Sequence, residues 1–306
     1  MPSSRLALGR LGRVALEQGD YRRAREQLAE SLDRAAEVDL RPATIFALTQ
    51  LGYVNTYLGE HEAARSHLEQ ALALCREIGD QAGTALALHV LGNSATDRGE
   101  HHDARAHYGE ALKICSEIGD RHGVARELLC LGENARLEGN SAEARQHYFE
   151  GAEIARKLGS RSTLALNLAG LGIASVSLGQ ADAARVALTE ALELALAIGA
   201  VPGALFALIG FAKIALALGD QTRAVRLLGL VDAHPATNDD LRADVSRVLA
   251  EVSRLSKAEI EREIDAGRRL DFSTETVQLL SDAGLDRAIG EEPTPLNMTR
   301  GGSRTP

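Results

Sequence analysis

Histidine is the residue of this chain that most invites a chemical reading. His61-Glu62 is followed by His67 in HEAARSH, and His102 by His107 in HHDARAH. Nitrogen and carboxylate donors in such clusters hold zinc when they share one face. From Glu62 to His67 and from His102 to His107 is five residues, a helical turn of about 500°, so the side chains of each pair point about 140° apart and cannot share an ion. A subtler set, His67, His107 and His147, recurs every forty residues. Half-buried or solvated histidines are one reading of that row, and a metal or pH-sensing ladder is the other. Cys75 and Cys115 are also forty apart, too distant for a disulfide, and no CxxC pair includes Cys130. Glu127 and Glu133 stand for many carboxylate pairs, and solvated charge is the expectation for them. There is no GxxxxGK loop, no GxGxxG after a strand, no GxSxG elbow and no HExxH. The residues therefore predict no catalytic site, no cofactor and no metal, hence no enzyme.

Composition agrees with a scaffold. Apolar residues make up 45% of the 306, aromatics only 3%, and Trp is absent, a balance that favours closely packed helices built on Ala and Leu. The formal charge of −9 disfavours direct nucleic-acid or anionic-membrane binding. The most apolar stretch, residues 204–219, is sixteen residues with Lys213 inside it, too short to span a bilayer. MPSSRLALGR lacks the apolar core of a signal peptide, and three thiols without a framework fit a reducing cytosol. The expected location is cytoplasmic.

What must position any site is a repeat. Gly12, Gly52, Gly92, Gly132 and Gly172 are spaced by forty, each preceded by Leu. A second glycine column runs Gly19, Gly59, Gly99, Gly139, Gly179, Gly219, and an alanine column Ala24, Ala64, Ala104, Ala144, Ala184, Ala224. Four residues after each alanine stands Leu28, Leu68, Tyr108, Tyr148, Leu188 or Leu228. Within a copy, Leu48, Leu51, Gly52 and Asn55 share one helix face, and Ala64, Leu68, Ala71 and Leu72 share a second. The glycine between them ends the first helix in the left-handed conformation, and the polar residue after it is expected to cap the second. Asn140 to Glu143 has capping-box spacing. The first-helix glycine and second-helix alanine are read as small because the helices approach closely there. Six hairpins at fixed spacing stack into a solenoid.

These columns resemble the tetratricopeptide repeat: Leu88, Leu91, Gly92, Ala104, Tyr108 and Ala111 stand at that family's spacings. The family's tryptophan is Leu in every copy, its tyrosine is Ala or Asn, and its proline near the repeat's end is missing. The forty-residue variant is similar to repeats of bacterial multidomain transcriptional regulators and of cell-polarity adaptors. The resemblance covers residues 5 to about 232 and implies an all-α, right-handed superhelical solenoid of about six hairpins over residues 1–232. Residues 233–289 are expected to form capping helices, with an Asn/Asp cap near 238 and a capping box at Ser256 and Glu259. This segment resembles the C-terminal tail of large actinobacterial-type ATPase regulators, although no phosphate loop occurs in these 306 residues. Residues 290–306, with three prolines and three glycines, read as a disordered tail.

A solenoid binds along its concave surface, lined by the first helix of each pair. Placing Leu48, Leu51, Gly52 and Asn55 inside puts Thr49, Tyr53, Thr56 and Tyr57 in that groove. The same register adds His89, Asn93, Thr96 and Asp97, then Arg126, Leu129, Glu133 and Arg136, and then Ala169, Ile173, Val176, Ile209, Lys213 and Leu216. The groove is thus expected to be polar and aromatic in its middle and apolar toward its C-terminal end. Tyr53 and Tyr57 either recognise a partner or pack between neighbouring first helices. The apolar end either takes a ligand or lies under the C-terminal helices. Asn93 alone matches the partner-contacting Asn that the polarity-adaptor resemblance implies. No clamp for a terminal carboxylate is reproduced, so chaperone C-termini are not expected partners. The expected function is a non-catalytic scaffold for a protein or peptide segment, as a regulatory or sensor portion, with self-association as a further option. The alternative is a sensor of a small ligand or signalling peptide that changes superhelical shape.

Overall fold

The structure is a computed structural model and describes residues 11–16, 18–37 and 40–289, with side chains to residue 282. The tail expected at 290–306 lies outside these residues. Every regular element described is a helix: α1 (11–16), α2 (Tyr21–Ala36), α3 (Arg41–Tyr57), α4 (His61–Ile78), α5 (Gln81–Asp97), α6 (His101–Glu117), α7 (Arg121–Leu137), α8 (Ser141–Leu158), α9 (Arg161–Ser177), α10 (Ala181–Ala197), α11 (Val201–Ala217), α12 (Gln221–Ala233), α13 (Asp239–Ala250), α14 (Lys257–Gly267) and α15 (Phe272–Ile289). Odd and even helices through α12 form six antiparallel hairpins. From α3 to α11 each first helix also packs against the first helix of the next hairpin, as α3 on α5 and α9 on α11. The result is a superhelical solenoid. Among the described residues no helix is long and apolar enough to cross a membrane.

The conserved columns have direct steric causes. Gly59 and Gly79 end their helices at φ 73° and 72°, a conformation glycine adopts without a Cβ penalty. A methyl added at Gly92 would come within 2.4 Å of Tyr108 Cε1, and one at Gly52 within 2.4 Å of Leu68 Cγ. The first-helix glycine is therefore small to admit the large residue four positions after the alanine, while the alanine itself is fully buried.

Capping departs from the expectation. Asp20 and Asp220 cap the second helices, but Glu60, Glu100, Asn140 and Gln180 make no side-chain cap bond. Two first helices, α5 and α7, are capped instead, by Asp80 and Asp120 accepting from the amides of Gly83 and Gly123 at 2.9 Å. Several carboxylates are taken by the preceding repeat. Arg25 binds Glu60 at 2.7 Å, Arg65 binds Glu100 at 3.1 Å, and Arg105 binds Glu143 at 2.5 Å. These charge-assisted bonds outcompete a cap and form a ladder along the second helices.

Beyond α12 the hairpin pattern stops. Asn238 caps α13, and Ser256 with Glu259 forms a full capping box on α14. Helix α14 crosses α12 at near-backbone contact. A Cβ at Gly267 would lie 2.1 Å from the Arg226 carbonyl oxygen, and one at Gly229 2.5 Å from that of Ile264. One continuous apolar core runs from Ala135 to Leu279, whereas the first three hairpins are held by three smaller clusters.

Candidate functional site

The first-helix face divides into an open and a covered half. In the open half Tyr57 keeps 58% of its surface exposed, with its ring stacked on Tyr21 at 5.2 Å and tilted against Tyr53 at 5.4 Å. Tyr53 is half-buried and packs on the core beneath, whereas Tyr57 is exposed. Thr56, Asn93, Thr96 and Arg126 are half-buried and Asp97 is exposed. Burial, then the charge of Asp240 at the start of α13, raises the Asp97 carboxyl above its ordinary value. Burial, then Glu133 and Asp239, does the same to Asp240.

Three residues expected in the groove lie beneath its surface. Thr49 is 3% exposed and donates its hydroxyl to the Ile45 carbonyl at 2.8 Å. His89 is 6% and Ile173 2% exposed. Side-by-side packing of successive first helices covers the positions at their seam, and a six-residue register on a lone helix does not include those neighbours.

The covered half carries α13. Asp244 of α13 accepts from Arg136 of α7 at 2.7 Å and pairs also with Arg247, and Glu251 binds Lys213 of α11 at 2.6 Å. Leu241, Val245 and Val248 join Val176 and Ile209 in one apolar core. The apolar end of the groove is thus covered by the chain's own helix, and Ala169, Val176 and Ile209 are buried there. Glu133 is likewise engaged. It accepts from Arg136 at 2.5 Å and from the Tyr148 hydroxyl at 2.7 Å. Against desolvation, which would raise it, these partners hold its carboxyl below the usual range.

The solvated reading of Glu127 is overturned. Its side chain is fully buried, with Oε2 3.0 Å from His89 Nδ1 and Oε1 2.9 Å from Arg126 Nε. Asn93 bridges this cluster to the core tyrosine: its Oδ1 accepts from Tyr108 at 2.8 Å and its Nδ2 lies 3.4 Å from His89 Nε2. The signal was present in the sequence, because Glu127 falls in a column occupied by Ala47, Ala87 and Ala207. The histidine row behaves otherwise. His67 is half-buried and 3.1 Å from Asn55 Nδ2, and burial lowers the values of His67 and His107. His147 lies 3.7 Å from Glu143. Burial drives the Cys75 thiol to about 11 and raises those of Cys115 and Cys130, so the three free thiols are protonated near neutrality and poor nucleophiles.

Stacked helical hairpins of this kind define a solenoid of the repeat-scaffold class. The tetratricopeptide repeat family matches residues 3–77 and 83–157, and the family of Anaphase-promoting complex subunit 5 matches residues 137–198. The chain belongs to the tetratricopeptide-repeat family. Comparison with the curated proteins gives no match. Among solved structures, the chain is similar to the apo form of RapI (TM-score 0.66, 16% identity, 93% of this chain and 75% of that one). A Rap protein complexed with Competence and Sporulation Factor follows (0.64, 15%, 91% and 74%). A Signal Transduction ATPase with Numerous Domains with a tetratricopeptide repeat sensor, from Pyrococcus horikoshii, is similar over 94% of this chain but 44% of its own length (0.66, 16%). At these identities the likeness is one of fold.

Proposed function

We propose that the chain is a non-catalytic, cytoplasmic regulatory scaffold that binds a protein or peptide segment on the open half of its first-helix face, between α3 and α7. The observation that carries this reading is α13. A helix of the chain itself sits on the other half of the same face, anchored by Asp244 on Arg136 and by an apolar edge. The face is therefore suited to hold a segment of that size and chemistry. The open half offers an exposed aromatic, Tyr57, and adjacent polar anchors in Asn93, Asp97 and Arg126, the mixture that recognition surfaces favour. A Rap protein of similar fold is complexed with Competence and Sporulation Factor, and another neighbour carries its repeats as a sensor, which supports a regulatory role.

The test is selection of peptides from a random display library on the purified chain. Binding of the selected peptides is then measured to the wild type and to a Tyr57→Ser/Asp97→Ala variant. These side chains are exposed, so the variant keeps its fold. The expected result is a loss of binding of about tenfold or more, as for truncation of an interface anchor. Peptides that bind both proteins equally, or a selection that enriches nothing, would overturn the assignment.

A further inference from the structure

The repeat supplies its own reference for what each position requires. The column of Glu127 holds Ala47, Ala87, Asn167 and Ala207, and the column of His89 holds Thr49, Leu129, Ala169 and Ile209. The column of Cys130 holds Gln50, Val90, Gly170 and Gly210. Ala47, Ala87 and Ala207 are as fully buried as Glu127. Packing alone thus asks for a small residue where a carboxylate stands, and a buried carboxylate opposes folding unless matched by cations or donors. The seam between α5 and α7 departs from the scaffold pattern at Glu127, and the two variable columns beside it hold a histidine and a cysteine there.

His89, Glu127 and Cys130 converge in space. One imidazole nitrogen of His89, one carboxylate oxygen of Glu127 and the Cys130 sulfur all lie within 4.8 Å of one another. Zinc bonds of about 2.0–2.3 Å set tetrahedral donor separations of roughly 3.3–3.8 Å, so a closure of roughly 1 Å brings the set to ligating distance. We propose that His89, Glu127 and Cys130 form a site for a divalent transition metal of the zinc class, the Cys130 thiol releasing its proton to solvent as the metal–sulfur bond forms. Nitrogen, oxygen and sulfur donors together select zinc or cobalt over magnesium or calcium. Arg126, whose Nη2 is 2.9 Å from Glu127, occupies the cation's place, and its partial exposure lets it swing to solvent when a metal enters. Three protein ligands leave a fourth position for water or another small ligand.

Cobalt(II) titration of the tag-free, chelator-stripped full chain tests this. The expected result is a thiolate-to-cobalt charge-transfer absorption that saturates at one metal per chain and that zinc displaces. Cys130→Ser removes the band, Glu127→Gln weakens binding about tenfold or more, and Cys75→Ser and Cys115→Ser leave the band unchanged. Circular dichroism of each metal-free variant checks that it folds. Absence of a thiolate band in the wild type overturns the proposal without recourse to any variant. A band that survives Cys130→Ser, or disappears with Cys75→Ser, places the metal elsewhere and overturns it equally.

Discussion

At the scale of single residues, the His89–Glu127 pair shows how one substitution obliges another. A carboxylate in an alanine slot needs a donor within reach, and the seam supplies His89 on one side and Arg126 on the other. Replacing Glu127 by Ala leaves His89 buried without its partner, and replacing His89 by Ile leaves the carboxylate short of one donor. Making both changes leaves an apolar pair at the seam, as at the equivalent positions Ala169 and Ala207. A double-mutant cycle by urea denaturation of metal-free protein is expected to give a coupling of about 0.5–3 kcal/mol, the double variant being more stable than the sum of the singles predicts. Asp97 makes a second case. Burial and then Asp240 hold it above its usual value, so the folded chain binds its proton more readily than the unfolded one. The sign follows: this carboxyl opposes folding at neutral pH, and its cost disappears as pH falls through the raised value. Asp97→Asn should therefore melt slightly higher than wild type at pH 7, with the difference closing toward pH 4.

At the scale of the element, each hairpin is set by a glycine facing a bulky side chain. Gly92→Leu places a branched side chain where even a methyl meets Tyr108 at 2.4 Å. Because the ring is locked by Asn93 and Thr96, overpacking is expected to cost at least about 1–3 kcal/mol. Asp97→Ala, one turn further along the same helix and on the exposed face, should change stability by less than about 0.5 kcal/mol. Equal thermal midpoints for the two would contradict this packing account. The hairpins and their periods were legible because both the glycine and its partner recur at forty-residue spacing. The caps were less so. Glu60, Glu100 and Glu143 have the right type and spacing for caps, yet arginines from the preceding repeat claim all three. Competition between a local and a long-range partner leaves no trace in a local motif. The burial of Thr49, His89 and Ile173 was hidden for a related reason, since it depends on the next first helix and not on their own.

At the scale of the whole molecule, the C-terminal segment is more than an end cap. Helix α14 continues the stack, while α13 returns along the inner face and fills its apolar half. Sequence reading left two occupants open for that half, because an apolar stripe states that something covers it and not what. Asp244→Ala removes the acceptor that ties α13 to α7. Its loss leaves Arg136 paired with Glu133, so the local cost is expected to be about 1–3 kcal/mol. Amide exchange measured by mass spectrometry should then speed up by about tenfold or more over residues 239–250 and stay unchanged over α4 to α6. Acid acts on the molecule more broadly. Glu133, opposed by desolvation but held down by Arg136, and Glu143, held down by Arg105, lie below their ordinary values. The stabilisation they lend is present above about pH 4.5 and is lost as pH falls through their lowered values. His67 and His107, kept neutral by burial, add a loss that begins as pH falls through about 6.5.

The unequal division of the core has a mechanical consequence. A single apolar block joins the last three hairpins to the C-terminal helices, but the first three hairpins rest on separate small clusters. Stretched between its ends, such a chain does not part at a random link. The leading hairpins should yield one at a time at low tension, each releasing about one repeat of contour length, before the trailing block ruptures in a single larger step. The half that gives way first is also the half that carries the open face, so a bound segment bridging α3 to α7 would register as a stiffening of the early steps and leave the late one untouched.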